Sequence, residues 1–247
     1  MLFRSTGEEI NCRSFTYRGY FGRGPIARRI LQRYPYGGLS QFLTAPQALL
    51  VKLPDKVGFE EASRFGYLGT AYSALRKANV GPARSVLVNA AGGTLGLGTV
   101  LLALAMGASK VLGTGRNPLL LDRVKALSPG RIEVMSVRDN PRTIRDWALS
   151  LTDGEGVDAV IDALPPGTPS GATMAALRAL RVGGRAVLPG GMKDALTLDP
   201  YWLNDTHAQL IGSRWFTTAE GEDMAQMAAA GTLDLSVLEH QRFLLAQ

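Results

Sequence analysis

From residue 85 onward the chain alternates between two patterns. Short apolar runs rich in Val, Ile and Leu fall at 85–90, 110–115, 132–137, 158–164, 185–189 and 209–212. Runs of that length with little polar alternation predict strands buried on both faces. The segments between them, 96–106, 118–127, 143–151 and 170–181, read as helices, and a further helix is predicted at 218–230. Strand and helix in strict succession predict an α/β architecture, a parallel sheet covered on both sides and joined by right-handed crossovers. Before residue 85 the pattern is looser. Ile26, Ile30 and Tyr34 recur at four-residue spacing and predict a short helix over 25–34, ended by Gly37-Gly38. Strands are predicted at 39–44 and 48–53, a helix from Phe59, and a second helix over 69–78. The last residues, Arg242 to Leu245, read as strand-like.

The first run of the alternating part leads into Ala90-Ala91-Gly92-Gly93-Thr94-Leu95-Gly96 and then into an apolar helix. The usual fingerprint of a phosphate-binding strand–turn–helix is Gly-x-Gly-x-x-Gly; here the register is Ala90-x-x-Gly93-x-x-Gly96. Residues without side chains let a diphosphate approach the backbone, and a helix N-terminus offers unpaired N–H groups and partial positive charge. Gly92, Gly93, Thr94 and Leu95 are therefore the expected pyrophosphate contacts of a dinucleotide. A tight turn with no ligand is the alternative.

The second strand bears on which dinucleotide. It ends Thr114-Gly115-Arg116-Asn117, so Gly115 stands where an NAD site places an acid for the ribose 2′-hydroxyl. With the acid gone, a 2′-phosphate meets no repulsion. Arg116 can pair with it, and Thr114 and Asn117 can add neutral hydrogen bonds. The expected cofactor is NADP. A solvated Arg116 beside an indifferent site is the alternative.

Composition narrows the class. The chain is 46% hydrophobic and 19% charged, which is ordinary for a globular protein with an ample core. No apolar run approaches the roughly 20 residues of a membrane helix, so no membrane partner is expected. A single cysteine, Cys12, with only His207 and His240 beside it, excludes an internal disulfide and shows no metal cluster. No secretory signal opens the chain, and a cytoplasmic protein is expected. The opening Leu2-Phe3-Arg4-Ser5 resembles translated adapter sequence, so the natural N-terminus is expected to lie upstream, and the C-terminus is expected to be cut as well. The net charge of +6 is uneven: Arg13, Arg18, Arg23, Arg28, Arg29, Arg33 and Lys52 fall in a stretch, 10–53, that has no acid. Without an aromatic-rich RNA-binding motif that stretch reads as a solvated or partner-facing surface, and nucleic acid is not the expected partner.

Taken together, the residues resemble the medium-chain dehydrogenase/reductase superfamily. The turn from Ala90 to Gly96 is similar to the Ala-Ala-x-Gly-Gly-Val-Gly of its quinone oxidoreductase branch. Gly38-Leu39-Ser40-Gln41-Phe42, Val51-Lys52-Leu53-Pro54-Asp55, Phe59-Glu60-Glu61-Ala62, Gly69-Thr70-Ala71-Tyr72, Gly156 to Asp162 and Leu180 to Arg185 resemble further family segments. The resemblance implies a doubly wound, six-stranded parallel Rossmann sheet joined to an incomplete GroES-like catalytic domain. The expected division is 1–70 for the partial GroES-like part and linking helix, 71–215 for the NADP-binding part, and 216–247 for the return to the first. The resemblance implies a small-molecule substrate in the cleft between the parts, hydride transfer between nicotinamide and a carbonyl, quinone or activated alkene, and a homodimer. Segments that carry catalytic and structural zinc in some members have no counterpart, so a zinc-independent enzyme is expected.

The resemblance also places Pro189, Gly190 and Gly191 beside the nicotinamide, Ala163 and Leu164 on the adenosine side, and Ser213 with Trp215 where the sixth strand meets the nicotinamide. Tyr67 and Thr70 are placed toward the cleft. No general acid is evident; His207, in an expected linker, and His240 read as surface residues. Two further readings stay open: a nucleotide- or RNA-binding protein without turnover, and a fragment of a zinc-dependent alcohol dehydrogenase.

Overall fold

The computed structural model describes residues 9–138, 140 and 142–245. The atypical opening, Met1 to Ser5, lies outside them. The chain forms two compact units: one runs from Arg64 to Trp215, and the other is made of the segments on either side.

The flanking unit begins with a small antiparallel hairpin, β1 (Thr16–Tyr17) and β2 (Phe21–Gly22). Gly19, at φ +70°, supplies its reversal. The rings of Phe15 and Tyr17, and of Tyr17 and Phe21, lie 4.9 Å apart. Helix α1 (Ala27–Arg33) follows. The two strands expected at 39–44 and 48–53 are not formed. Leu39 and Phe42 are 94% and 85% exposed, and a 3-10 turn, Gln47–Leu49, occupies the second segment. Apolar alternation becomes a strand only when a neighbouring strand takes up its N–H and C=O groups, and among the described residues these segments have no such neighbour. The strand-like 242–245 is irregular for the same reason. Helix α2 (Phe59–Ala62) starts where expected, with the Glu61 carboxylate accepting from the Gly58 N–H at 2.9 Å.

The central unit opens with α3 (Phe65–Lys77), which starts four residues before the predicted helix. Its buried stretch, Leu68 to Leu75, runs across the division expected at 70/71. Then come β3 (Ser85–Asn89), α4 (Thr94–Ala105), β4 (Lys110–Gly115), α5 (Pro118–Ala126), β5 (Ile132–Ser136) and α6 (Ile144–Ser150). They are followed by β6 (Val157–Asp162), α7 (Ser170–Leu177), β7 (Leu180–Leu188), α8 (Pro200–Thr206) and β8 (Gln209–Gly212). The six strands β3 to β8 form one parallel sheet in the order β5-β4-β3-β6-β7-β8. This is the doubly wound order, so the expected α/β Rossmann sheet is present. The strand predicted at 185–189 begins at Leu180 instead. Leu180 pairs with Val157 and Arg185 with Ala159, so residues 181–184 bulge outward, with Gly183 at φ +73°. Helix α7 accordingly stops at Leu177 rather than at 181. The 200–206 stretch, expected to be a linker, is α8. Asp199 caps it by accepting from the Tyr201 N–H at 2.9 Å, and Pro200 takes its first position.

One face of the sheet buries Leu87, Leu112, Val160 and Ala186 against Ile144, Trp147 and Leu177 of α6 and α7. Elsewhere α3 and α4 pack closely: a Cβ at Gly98 would sit 3.1 Å from the Leu68 side chain. After the central unit the chain enters α9 (Thr218–Ala229), whose first turn is held by a reciprocal Thr217–Glu220 capping box.

At the amino ends of the central strands sits Asp158. It accepts from the Ser85 N–H (2.9 Å) and hydroxyl (3.0 Å), from Arg84 (2.8 Å) and from Arg181 (2.8 Å). Burial pushes its carboxyl up, but the Ser85 N–H, Arg181, Arg84 and the Ser85 hydroxyl together outweigh that and hold it at about 2, from an ordinary 3.8. A carboxyl whose folded pKa is depressed stabilises the fold above its unfolded pKa and loses that contribution as pH falls toward the folded value. The clamp is worth about 1–2 kcal/mol after allowance for the half-exposed arginines. Asp158→Asn is expected to lower stability by about that amount at pH 7, with the gap roughly halved by pH 3. Urea midpoints of both proteins at the two pH values check this; an equal gap at both would refute the assignment.

Candidate dinucleotide site

The chain leaves β3 for β4 and β5 on one side and returns to β6 on the other. Strands β3 and β6 are neighbours, so their carboxyl ends border the switch-point crevice where open α/β sheets take ligands. Out of β3 the backbone reverses at Ala90, which adopts φ +68° although it is not glycine. The Ala91 N–H donates to the Thr114 carbonyl at 2.8 Å, and the Gly93 N–H donates to the Ala90 carbonyl at 3.1 Å. Gly93 then stands in extended conformation as the N-cap of α4, and no side chain caps the helix. The first-turn N–H groups of α4 therefore open on the turn. Gly96 has its own reason to be glycine: a Cβ there would lie 2.1 Å from the Ala90 carbonyl oxygen. Gly113 of β4 likewise admits Ala91, whose Cβ would be 2.9 Å away.

Beneath the turn lies a buried polar network that the sequence reading did not anticipate. Asn89 and Asp162, the last residues of β3 and β6, are register partners. The Asn89 Nδ2 donates to the Asp162 carboxylate at 2.8 Å and to the Ala172 carbonyl at 3.3 Å. The Thr114 hydroxyl donates to Asn89 Oδ1 at 2.7 Å, and the Thr173 hydroxyl of α7 donates to the other Asp162 oxygen at 2.7 Å. All four side chains are buried. Burial raises the Asp162 carboxyl above its usual range, against the opposing bonds from Thr173, Asn89 and the Leu164 N–H. The signal in the sequence was a polar residue closing each of two strands directly after three apolar residues.

Of the expected contacts, Gly92, Gly93, Thr94 and Leu95 lie together at the turn and helix start. Those at the exit of β4 separate. Thr114, expected to reach a phosphate, is fully buried and its hydroxyl is committed to Asn89, because the β3–β4 register sets the two side by side. Gly115 packs on Leu121, whose side chain would be 3.0 Å from an added Cβ. Asn117 caps α5, its side-chain Oδ1 accepting from the Leu119 N–H at 3.1 Å. Arg116 is exposed.

Ala163 and Leu164 follow β6 rather than ending it, and the Ala163 N–H donates to the Asn89 carbonyl at 3.1 Å. The Gly190 and Gly191 N–H groups donate to the carbonyls of Asp162 and Leu164, each at 3.1 Å. A Cβ at Gly190 would lie 2.6 Å from the Asp162 oxygen and 2.7 Å from that of Leu164. Gly190 is therefore glycine because its own chain passes there, and a flat ring is not needed to explain it. Ser213 is buried and accepts from Lys77 Nζ at 2.8 Å, so its hydroxyl has a protein partner. Thr70 likewise donates to the Gly66 carbonyl at 3.0 Å, while Tyr67 is exposed. Gly66 faces the Trp215 ring, which an added Cβ would touch at 3.6 Å. His207 ends α8 in the left-handed region, at φ 51°, and both it and His240 are exposed. Among the described residues no three His, Cys, Asp or Glu side chains gather as metal ligands, and no helix is long and apolar enough to cross a membrane.

Comparison with known proteins agrees with this geometry. The family model described as zinc-binding dehydrogenase matches residues 94–230. A quinone oxidoreductase-like protein 2 homolog of Nematostella vectensis is 35% identical over 130 residues, which is 52% of this chain and 34% of that protein. A probable D-xylulose reductase A of Neosartorya fischeri is 35% identical over 164 residues, 64% of this chain and 43% of its own length. The chain thus spans between a third and a half of these relatives. The crystal structure of AibC superposes with a TM-score of 0.77 at 24% identity, over 94% of this chain and 65% of that one. The matched region begins at Thr94, the first residue of α4, and the strand order supplies the fold: the chain belongs to the zinc-binding dehydrogenase family of the medium-chain dehydrogenase/reductase superfamily.

Proposed function

We propose that this chain binds NADP(H) and serves an oxidoreductase that moves a hydride between the nicotinamide and a carbonyl, quinone or activated alkene of a small molecule. The observation that carries the NADP choice is Arg116, exposed at the exit of β4, with Gly115 in place of an acid. The residues present suit a dinucleotide. The uncapped N-terminus of α4 offers N–H groups for a diphosphate, and Gly92 and Gly93 bring no side chain to the turn before it. When bound, the cofactor supplies the hydride-donating or hydride-accepting ring. The chain's part is to grip the diphosphate, pair a guanidinium with the 2′-phosphate, and hold the strand ends in register. A homodimer and a cytoplasmic location belong to the same reading. A zinc-independent reaction belongs to that reading as well.

Calorimetric titration with NADP and NAD is expected to show binding of both, with NADP the tighter. Absence of heat beyond dilution with NADP would sink the proposal. Arg116→Asp is expected to weaken NADP by about tenfold to a hundredfold, the worth of a charge-assisted hydrogen bond, and to leave NAD within about twofold. Equal losses for the two would remove Arg116 from the 2′-phosphate. Binding without oxidation of NADPH by a panel of aldehydes and quinones would favour a binding protein without turnover.

A further inference from the structure

Two segments border the switch-point crevice, and both are tied to one residue. On the β3 side is the turn that starts at Ala90. On the β6 side are Ala163-Leu164 and, pinned against them, Gly190-Gly191. Asp162 reaches the first through Asn89, the residue that precedes the turn. It reaches the second through the Leu164 N–H, which its carboxylate accepts, and through its own carbonyl, which accepts from Gly190. The Thr173 hydroxyl anchors the same carboxylate to α7. The Asn89 amide is held on both ends: Thr114 donates to its oxygen, and its nitrogen donates to Asp162 and Ala172. Three donors converge on the carboxylate, from Asn89, Thr173 and Leu164. A carboxylate is an acceptor at both oxygens, whereas an amide would turn an NH2 toward at least one of them. We propose that Asp162, acting through Asn89, is a positioning residue that sets the spacing between the two walls of the cofactor crevice.

The inference rests on the dinucleotide reading above. A dinucleotide crosses the crevice and touches both walls; adenosine 2′,5′-bisphosphate lacks the nicotinamide half and does not reach Gly190-Gly191. Misplaced walls therefore weaken the first ligand and spare the second, whereas general loss of folded protein weakens both alike. The experiment compares wild type, Asp162→Ala and Asp162→Asn by calorimetry with NADP and with the bisphosphate, at a temperature where melting curves show each protein folded. Asp162→Ala is expected to lose about tenfold or more in NADP affinity with the bisphosphate within about twofold. Asp162→Asn, which keeps the shape and part of the bonding, is expected to fall between, and it decides the matter alone if the alanine variant does not fold. Unchanged NADP affinity in both variants, or parallel loss of both ligands, overturns the positioning role and leaves the binding proposal standing. Wild type that binds neither ligand overturns both.

Discussion

The central unit depends on bringing polar groups to the carboxyl ends of strands that are otherwise buried on both faces. Desolvating a carboxylate is costly unless donors surround it. Asp162 is tolerated because Asn89, Thr173 and the Leu164 N–H come to it from three directions. The same bonds join β3, β6 and α7, and through Thr114 they reach β4. The crevice is thereby floored by hydrogen bonds whose geometry is narrow, and the turn above inherits its position from them.

Two carboxylates on one strand meet opposite conditions. Asp158, at the amino end of β6, has two arginines and a serine around it and is held ionised well into acid. Asp162, four residues on, has no cation among its bonding partners and is pushed the other way. The first fastens the sheet where nothing need bind. The second lies below the crevice and is held by neutral donors.

The sheet was readable in the sequence because its strands are buried on both faces and so appear as unbroken apolar runs. The glycine turn was readable because close approach of backbone forces glycine, and Gly96 meets that demand most severely. Helix α8 was missed although its start signal, Asp199-Pro200, is present; seven residues mixing Tyr, Trp, Asn and Asp carry no clear apolar stripe. The strands expected at 39–44 and 48–53 failed in the other direction, since alternation says which face could be buried but not whether a partner exists. Thr114 stands two residues from Arg116 in linear order, while its hydroxyl bonds Asn89 on the neighbouring strand. That fact is long-range, and no local pattern carries it.

Ala90 shows what the local pattern hides. An L-residue in the left-handed region costs roughly 1 kcal/mol or more relative to glycine, and the Ala91 and Gly93 bonds hold it there. The strain at Ala90 is therefore carried by the folded state and offset by those backbone bonds, since alanine itself disfavours the region. On the proposed reading, a reversal fixed in this way before a ligand arrives leaves it little peptide to order.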